Sequence, residues 1–412
     1  MNTTLPNTRA PGLDLLRAGA IVAVMLYHLA SNGFALPALV RHGWLGVDLF
    51  FVLSGYLIGW QVLRQYAQGR QPDWQAFMLG RALRVLPAYL AVLGLYLAVP
   101  AWREAERLPP LWQFLSFTVN IFPDWAHARA YSHAWSLCVE EHFYLLLPAV
   151  MWVLARRPTP ARVMIFSVAL AAGGMLLRDL AWQRALAPHL VPGGDAGLAV
   201  LGYVEAIYNP TWTRLDGLLA GMSLAAIRAF RPACWTRALR HGGSLLLAGL
   251  LCVAAAASIE PMSRLGVLVQ FPLAALGFAC LLMAMLSERL PFARVRLPGA
   301  RGLALLAFSL YLTHRQVYAW LDTRLDGMVA ESPLTAFCLY NLAALAVAAL
   351  LYWSVERRAL RLRERLLAAR ARTLTAAANS AAAAAEAAAP ATATATATAE
   401  AAAGPAALRS RP

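Results

Sequence analysis

The chain has 412 residues, of which 60% are hydrophobic and only 14% are charged. A soluble domain of this length carries more charge, and the apolar residues fall in blocks of roughly twenty, the length that crosses about 30 Å of hydrocarbon. The composition therefore excludes an ordinary soluble protein and predicts an all-α, polytopic membrane protein. The net charge of +15 is typical of arginine-rich cytoplasmic loops, so no nucleic-acid partner is expected.

About ten transmembrane helices are predicted along the chain. The first is interrupted by Asp14 and Arg17 and reaches spanning length, so we interpret it as a retained helix rather than a cleaved signal. A further run, 196–208, contains Glu205 and is predicted to be interfacial or re-entrant. The predicted spans are 12–32, 43–63, 85–102, 134–155, 163–177, 211–227, 242–258, 265–286, 302–321 and 334–353.

Arginine predicts the orientation of these helices. The loops 64–84, 156–162, 228–241 and 287–301 hold 15 Arg in 57 residues, whereas the alternate loops hold 8 Arg in 92 residues. The first set is predicted to be cytoplasmic, because basic residues accumulate on that side. Both termini are then cytoplasmic, and the expected location is the inner (plasma) membrane.

The C-terminal part of the chain has a different composition. From about residue 373 it is rich in Ala and Thr and has almost no large apolar side chain, so it lacks the residues of a packed core. We predict three regions, namely a cytoplasmic N-terminus (1–11), a membrane domain (12–364) and a cytoplasmic tail (365–412). The tail is predicted to be disordered from about residue 373.

Ionisable residues inside these spans are the candidates for function, because burying them in a membrane is costly. On the first helix, Arg17 and His28 lie eleven residues apart, so they share a face at a separation of roughly 16 Å. Other helices place ionisable groups at the outer depth of His28, which indicates a lined cavity. These groups are Asp48, Glu140, Glu141, His142, Arg214, Asp216, His314 and Arg315.

The cytoplasmic side carries a different pattern. Arg81 and Arg84 are three residues apart just before the third predicted span, and two guanidinium groups so placed can bind phosphates. By spacing alone, the accumulation of basic residues on the cytoplasmic side is the favoured explanation, and it needs no ligand. The five cysteines are scattered without metal-ligand spacing, so no metal site is expected.

Seven motifs resemble those of the acyltransferase-3 family of integral membrane acyltransferases, in its standalone form without an SGNH domain. They occur in the family's order between residue 12 and about residue 364. The chain differs from the family pattern at His142 and in the two residues after His314. The motifs are LDLLRAGAIVAVMLYH, GWLGVDLFFVLSGYLI, RALRVLPAYL, AWSLCVEEHFYLLLP, TRLDGLLAGMSLA, SLYLTHRQVYAW and YWSVERRALRL.

The resemblance implies transfer of an acyl group, most often acetyl, from cytoplasmic acyl-coenzyme A to a hydroxyl of a cell-surface or exported glycan. Such acceptors include lipopolysaccharide, peptidoglycan and glycolipids. Acyl-coenzyme A is then a co-substrate, and no permanently bound cofactor is expected. Alternatives are a small-molecule or lipid acceptor, a proton-coupled secondary transporter and a non-catalytic scaffold.

Roles follow for the candidate residues. His28 is the expected general base, although an acyl-His intermediate is an alternative, and Glu141 or Glu140 is expected to orient its imidazole. The coenzyme phosphates are expected to bind a set of three arginines near the cytoplasmic side. The acceptor is expected to bind a second set of residues at the outer depth of His28. The first set is Arg17, Arg81 and Arg84, and the second set is Arg214, Asp216, His314 and Asp48.

Overall fold

The computed structural model describes residues 11–153, 159–287, 289–325 and 327–388, and this part of the chain contains helices and no strand. Eleven of its helices are numbered here in chain order. The ten predicted spans each correspond to one of the first ten. The helices are α1 (Pro11–Ser31), α2 (Leu45–Ala67), α3 (Trp74–Ala98), α4 (Trp135–Val153), α5 (Pro160–Ala181), α6 (Asp216–Phe230), α7 (Gly242–Ser258), α8 (Arg264–Met285), α9 (Ala300–Arg324), α10 (Pro333–Leu351) and α11 (Arg357–Ala388).

Within the described residues, six helical stretches are long and apolar enough to cross a membrane, and one bent pair adds a seventh. The bent pair, Pro232–Leu239 with Gly242–Ser258, turns by 82° at its break. The chain is therefore a multi-pass membrane protein, while a count of ten spans stays a prediction. The six stretches are Pro11–Ser31, Leu45–Ala67, Trp74–Ala98, Pro160–His189, Arg264–Met285 and Pro333–Ala384.

Helix α3 begins well before the predicted start at residue 85. Asp73 caps its N-terminus by accepting a hydrogen bond from the Ala76 N–H at 3.0 Å, which satisfies an otherwise unpaired helical donor. Arg81 and Arg84 therefore lie within the helix and not in the loop before it. The apolar segment at 196–208 forms a short helix, Ala196–Tyr203, and a π-helical turn, Val204–Tyr208.

The chain divides into two compact units, of which the first ends at Ala359, close to the predicted end of the membrane domain at residue 364. The expectation of disorder from about residue 373 is wrong for residues 373–388, where α11 continues to Ala388. Alanine has the highest intrinsic helix propensity, which explains why this apolar-poor sequence remains helical. The rest of the predicted tail, 389–412, and the predicted N-terminal region before residue 11 lie outside the described residues.

Helices α2 and α6 approach each other closely through glycines. A Cβ atom on Gly55 would lie 2.1 Å from the Leu218 carbonyl oxygen, and one on Gly221 would lie 2.2 Å from the Val52 carbonyl oxygen. Each glycine has a second one four residues away on the same face, Gly59 and Gly217. Small residues at this spacing let two backbones pack in a membrane, where no hydrophobic force between helices assists them.

A second contact brings the two ends of the membrane unit together. Helix α1 packs along α9, and α9 packs on α10. The buried core at this contact includes Ile21 and Leu29 of α1 with Leu310 and Leu312 of α9. This packing positions the C-terminal end of α1 against the second half of α9.

Candidate active site

Two histidines from α1 and α9 form a direct hydrogen bond. His28 Nδ1 and His314 Nε2 are 3.0 Å apart, although 286 positions separate them in sequence. His314 is fully buried, whereas His28 is only partly buried. His28 is therefore the member of the pair that a bound molecule can reach. The sequence analysis expected His314 to contact substrate, but its burial places it behind His28 instead.

The other hydrogen bonds of His314 assign the positions of the ring protons. Its Nδ1 lies 2.8 Å from the carbonyl oxygen of Leu310 and 3.1 Å from that of Tyr311. Because a carbonyl only accepts, Nδ1 carries the hydrogen and Nε2 of the neutral ring offers a lone pair. His28 donates its Nδ1–H to that lone pair. The Nε2 of His28 is left as a proton acceptor.

A third histidine, His133, packs against this pair. Its ring centroid lies 5.8 Å from that of His314, and its Nε2 donates to the Leu312 carbonyl at 3.3 Å. Burial and the charge of Arg315 lower the pKa of His133 well below its ordinary value, so it packs as a neutral ring. No group of His, Cys, Asp or Glu in the described residues has the arrangement of a metal site.

Glu104 holds the segment between α3 and α4 in place beside the histidines through hydrogen bonds. Its carboxylate accepts from the Tyr96 hydroxyl at 2.6 Å and from the Tyr131 backbone N–H at 3.0 Å. Arg315 donates to Ser132 Oγ at 2.7 Å and lies 3.8 Å from the Glu104 carboxylate. The sequence analysis missed Glu104 and His133, because single polar residues in a loop carry no periodic signal.

The two glutamates of α4 are not partners of His28. Glu140 accepts from Ser54 Oγ at 2.8 Å and from the Tyr144 hydroxyl at 3.0 Å. The guanidinium of Arg81 lies over the Tyr144 ring at 4.2 Å. Within the described residues, His28 forms hydrogen bonds with His314 and with the backbone of Val24, and with neither Glu140 nor Glu141. The orienting role expected of the glutamates therefore stays a prediction without a contact to support it.

Two other arginines expected to bind phosphates also have acidic neighbours. Arg17 Nη1 lies 3.3 Å from Asp14 Oδ1, and Arg84 Nη1 lies 2.5 Å from Glu356 Oε1. The side chains of Arg17 and Arg84 are nevertheless 29% and 31% exposed. Each guanidinium is within reach of a further anion, which would have to compete with the carboxylate. Their role in binding a coenzyme stays a prediction.

Three of the four residues expected to bind the acceptor, Asp48, Arg214 and Asp216, are buried in ion pairs. Arg214 Nη2 lies 2.9 Å from Asp48 Oδ1, and Arg178 Nη1 lies 2.7 Å from Asp216 Oδ2. The Asp216 side chain, at 6% exposed, is the most accessible of the four paired side chains. These pairs join α2 to the start of α6 and α5 to α6. A role for Asp48, Arg214 or Asp216 in acceptor binding stays a prediction that the geometry does not require.

A cavity of about 380 Å³ opens at the C-terminal end of α1. Tyr27, Ser31, Phe34 and Arg41 contribute to its lining. The Tyr27 ring also meets the His28 ring edge-on, with centroids 5.3 Å apart. Tyr27 therefore contacts both this cavity and the partly buried histidine of the pair.

Comparison with known proteins identifies the family of the chain. A family model described as an acyltransferase domain matches residues 11–353, from the start of α1 to just beyond α10. The chain belongs to this acyltransferase-3 family. The matched range contains both members of the histidine pair, and the resemblance inferred from the seven sequence motifs is confirmed.

Curated members of the acyltransferase-3 family are similar to part of the chain. They include O-acetyltransferase OatA of Staphylococcus aureus, 31% identical over 232 residues, and peptidoglycan O-acetyltransferase OatA of Listeria monocytogenes, 29% identical over 233. A putative peptidoglycan O-acetyltransferase, YrhL of Bacillus subtilis, is 30% identical over 234 residues. Each match covers 53% of this chain and only about a third, 33–34%, of the relative. No solved structure matches the chain significantly.

Proposed function

We propose that this protein is a membrane-bound O-acyltransferase that transfers an acyl group, acetyl in the first instance, from acyl-coenzyme A to a hydroxyl of a cell-surface or exported glycan. The family supports acyl transfer, and the printed names of the relatives support an O-acetyl product and a glycan acceptor. The observation that carries the proposal is the His28–His314 hydrogen bond, which leaves a proton acceptor on the partly buried His28 ring.

In the proposed reaction, the acceptor hydroxyl attacks the carbonyl carbon of the thioester while His28 Nε2 takes the hydroxyl proton. A C–O bond forms, and the C–S bond breaks. The proton on His28 then passes to the departing sulfur, so that the products are an ester and free coenzyme A. A positioned general base of this kind contributes about 10²–10⁴-fold to the rate.

The proposed donor path runs along α1. The coenzyme phosphates bind at the cytoplasmic end, where Arg17 and Arg84 are partly exposed, and Arg81 lies on the same helix as Arg84. The pantetheine arm then covers the roughly 16 Å to His28. This path assumes about ten spans in the inner membrane with both termini cytoplasmic, which the arginine distribution supports.

The first experiment is mass spectrometry of cell-envelope glycans from a deletion strain. The strain is complemented with the wild-type protein, with His28→Ala or with His127→Ala. His127 is a matched control, because it is an exposed histidine of the segment between α3 and α4 and lies outside the proposed site. We expect wild type and His127→Ala to restore an acyl group that His28→Ala does not restore.

A purified-protein assay separates the remaining possibilities. Wild-type protein in lipid nanodiscs is expected to release coenzyme A from acetyl-coenzyme A when an acceptor is present. Release with a small-molecule acceptor but without any glycan change would favour the alternative acceptor class. Absence of coenzyme A release with every acceptor would contradict the acyltransferase proposal and favour a transporter.

A further inference from the structure

Arg315 places a positive charge next to the histidine pair. It follows His314 directly on α9, and its charge interacts with Tyr27, His28 and His133. Its side chain is 24% exposed, whereas His314 is fully buried. The guanidinium is therefore the accessible charged group of this part of the protein.

The charge of Arg315 is only partly compensated. Within the described residues, its one hydrogen bond runs from Nη1 to Ser132 Oγ, and its one ion-pair neighbour is Glu104 at 3.8 Å. Glu104 already accepts shorter hydrogen bonds from Tyr96 and Tyr131. Nε and Nη2 of Arg315 have no protein partner there, and neither atom is enclosed. A guanidinium with two free donor positions is suited to a planar or tetrahedral anion.

The partly compensated charge of Arg315 also opposes the proton transfer proposed for His28. A positive charge close to His28 disfavours the imidazolium that forms when His28 accepts a proton. A negative group bound to Arg315 would offset that charge in the same step. Binding an anion would therefore both position the acceptor and restore the base.

We propose that Arg315 binds a carboxylate or phosphate carried by the acceptor, so that the enzyme selects anionic glycans. This inference rests on the proposed acyltransferase function and specifies its substrate class. The cavity beside Tyr27 has Arg41 in its lining, so a further positive charge lies at the end of α1 that carries His28. Arg315 is thus a specificity-determining residue, while His28 performs the proton transfer.

The test compares three acceptors of equal length with acetyl-coenzyme A and protein in nanodiscs. They are a hexuronic acid oligosaccharide, its neutral methyl ester and a phosphorylated neutral oligosaccharide. Wild type is expected to prefer an anionic acceptor over the ester by about tenfold in kcat/KM. Arg315→Gln should abolish that preference by slowing transfer to the anionic acceptors. It should not slow transfer to the neutral ester, because it also removes the charge that disfavours the His28 imidazolium. Arg315→Lys should retain part of the preference. Comparing the two anionic acceptors identifies carboxylate or phosphate as the recognised group.

Two further variants separate recognition from support of the loop. Ser132→Ala removes the hydrogen-bond partner of Arg315 but keeps its charge, and Arg129→Gln removes an exposed charge of the same segment. Both are expected to keep the acceptor preference. The inference is overturned if wild type acylates charged and neutral acceptors equally, or if Arg315→Gln slows both alike. Absence of transfer to any acceptor would instead refute the proposed function on which the inference depends.

Discussion

The partner of His28 is another neutral imidazole, and this determines how a proton can be held. His314 has its own Nδ1 hydrogen committed to backbone carbonyls, so it cannot pass a proton further into the protein. It can only accept from His28, which fixes the tautomer and the ring orientation of the base. His314 is thus a positioning residue, and any proton taken from a substrate stays at the reachable end of the pair.

Substitution of His314 by Phe removes the hydrogen-bond acceptor and keeps an aromatic ring. We expect kcat to fall by about tenfold or more, because an unoriented base loses part of its 10²–10⁴-fold contribution, while KM for acyl-coenzyme A stays the same. Steady-state kinetics in nanodiscs, with a thermal unfolding control, measure both quantities. An unchanged kcat in a correctly folded variant would mean that His28 needs no partner.

The sequence identified the members of this pair but not their pairing. His28 and His314 each stood out because ionisable residues are rare within spans. Their contact depends on the packing of α1 against α9, which no local pattern encodes. The same limitation applies to the predicted partner of Glu140. The adjacent carboxylates Glu140 and Glu141 were candidates to orient His28, but in the folded protein Glu140 accepts hydrogen bonds from Ser54 and Tyr144.

At the scale of helices, the contact between α2 and α6 tolerates little additional side-chain volume. A Cβ atom at Gly221 would meet the Val52 carbonyl oxygen at 2.2 Å and the Tyr56 nitrogen at 2.5 Å. Both are backbone atoms, so relief requires the helices to separate. Gly173 on α5 differs, since nothing lies within 4 Å of its added Cβ.

We therefore expect Gly221→Ala to lower stability by about 1–3 kcal/mol, the range for overpacked sites. Gly173→Ala is the matched control and should be neutral or slightly stabilising, because alanine favours the helix. Thermal unfolding of both variants in detergent, followed by circular dichroism, provides the comparison. Equal unfolding temperatures would show that the α2–α6 contact is looser than the glycines indicate.

The ion pair between Asp48 and Arg214 joins the same two helices at one end. Removing either partner alone leaves a buried charge uncompensated, and we expect Asp48→Leu or Arg214→Met to cost about 3–5 kcal/mol. The double variant should recover most of that loss, since the Arg214 guanidinium already packs 4.1 Å from the Phe271 ring centroid. Unfolding temperatures of the four proteins test this. A double variant that is stable but inactive would instead favour the predicted role of these residues in acceptor binding.

Helix positions were largely predictable, and the exceptions have physical causes. The blocks of about twenty apolar residues marked all ten helices from α1 to α10. The start of α3 was misplaced because its first turns are amphipathic, and the capping signal of Asp73 was the better guide. Residues 373–388 were predicted to be disordered because they lack the large apolar side chains of a packed core. They form a helix instead, since alanine has a high helix propensity without any core contact.

At the scale of the whole molecule, the proposed reaction requires two different ends. Arg17 and His28 lie on one helix, and their separation along it is roughly 16 Å. The predicted orientation places Arg17 and the arginines of α3 on the cytoplasmic side of the membrane. It places Glu104 and His133 on the opposite side, together with His28. Donor and acceptor would therefore approach from opposite faces of the membrane, which makes orientation the central assumption of the mechanism.

Sided labelling of cysteines tests that orientation. Cys234 is exposed and lies in the predicted cytoplasmic loop 228–241, so it should react with a membrane-impermeant maleimide only after the cells are permeabilised. In a variant otherwise free of cysteine, Glu106→Cys provides the matched outer position, because Glu106 is exposed in the segment that carries Glu104. We expect this cysteine to be labelled in intact cells, because the arginine distribution directs basic loops inward. The reverse pattern would place His28 on the cytoplasmic side, and donor and acceptor would then have to exchange the ends assigned to them here.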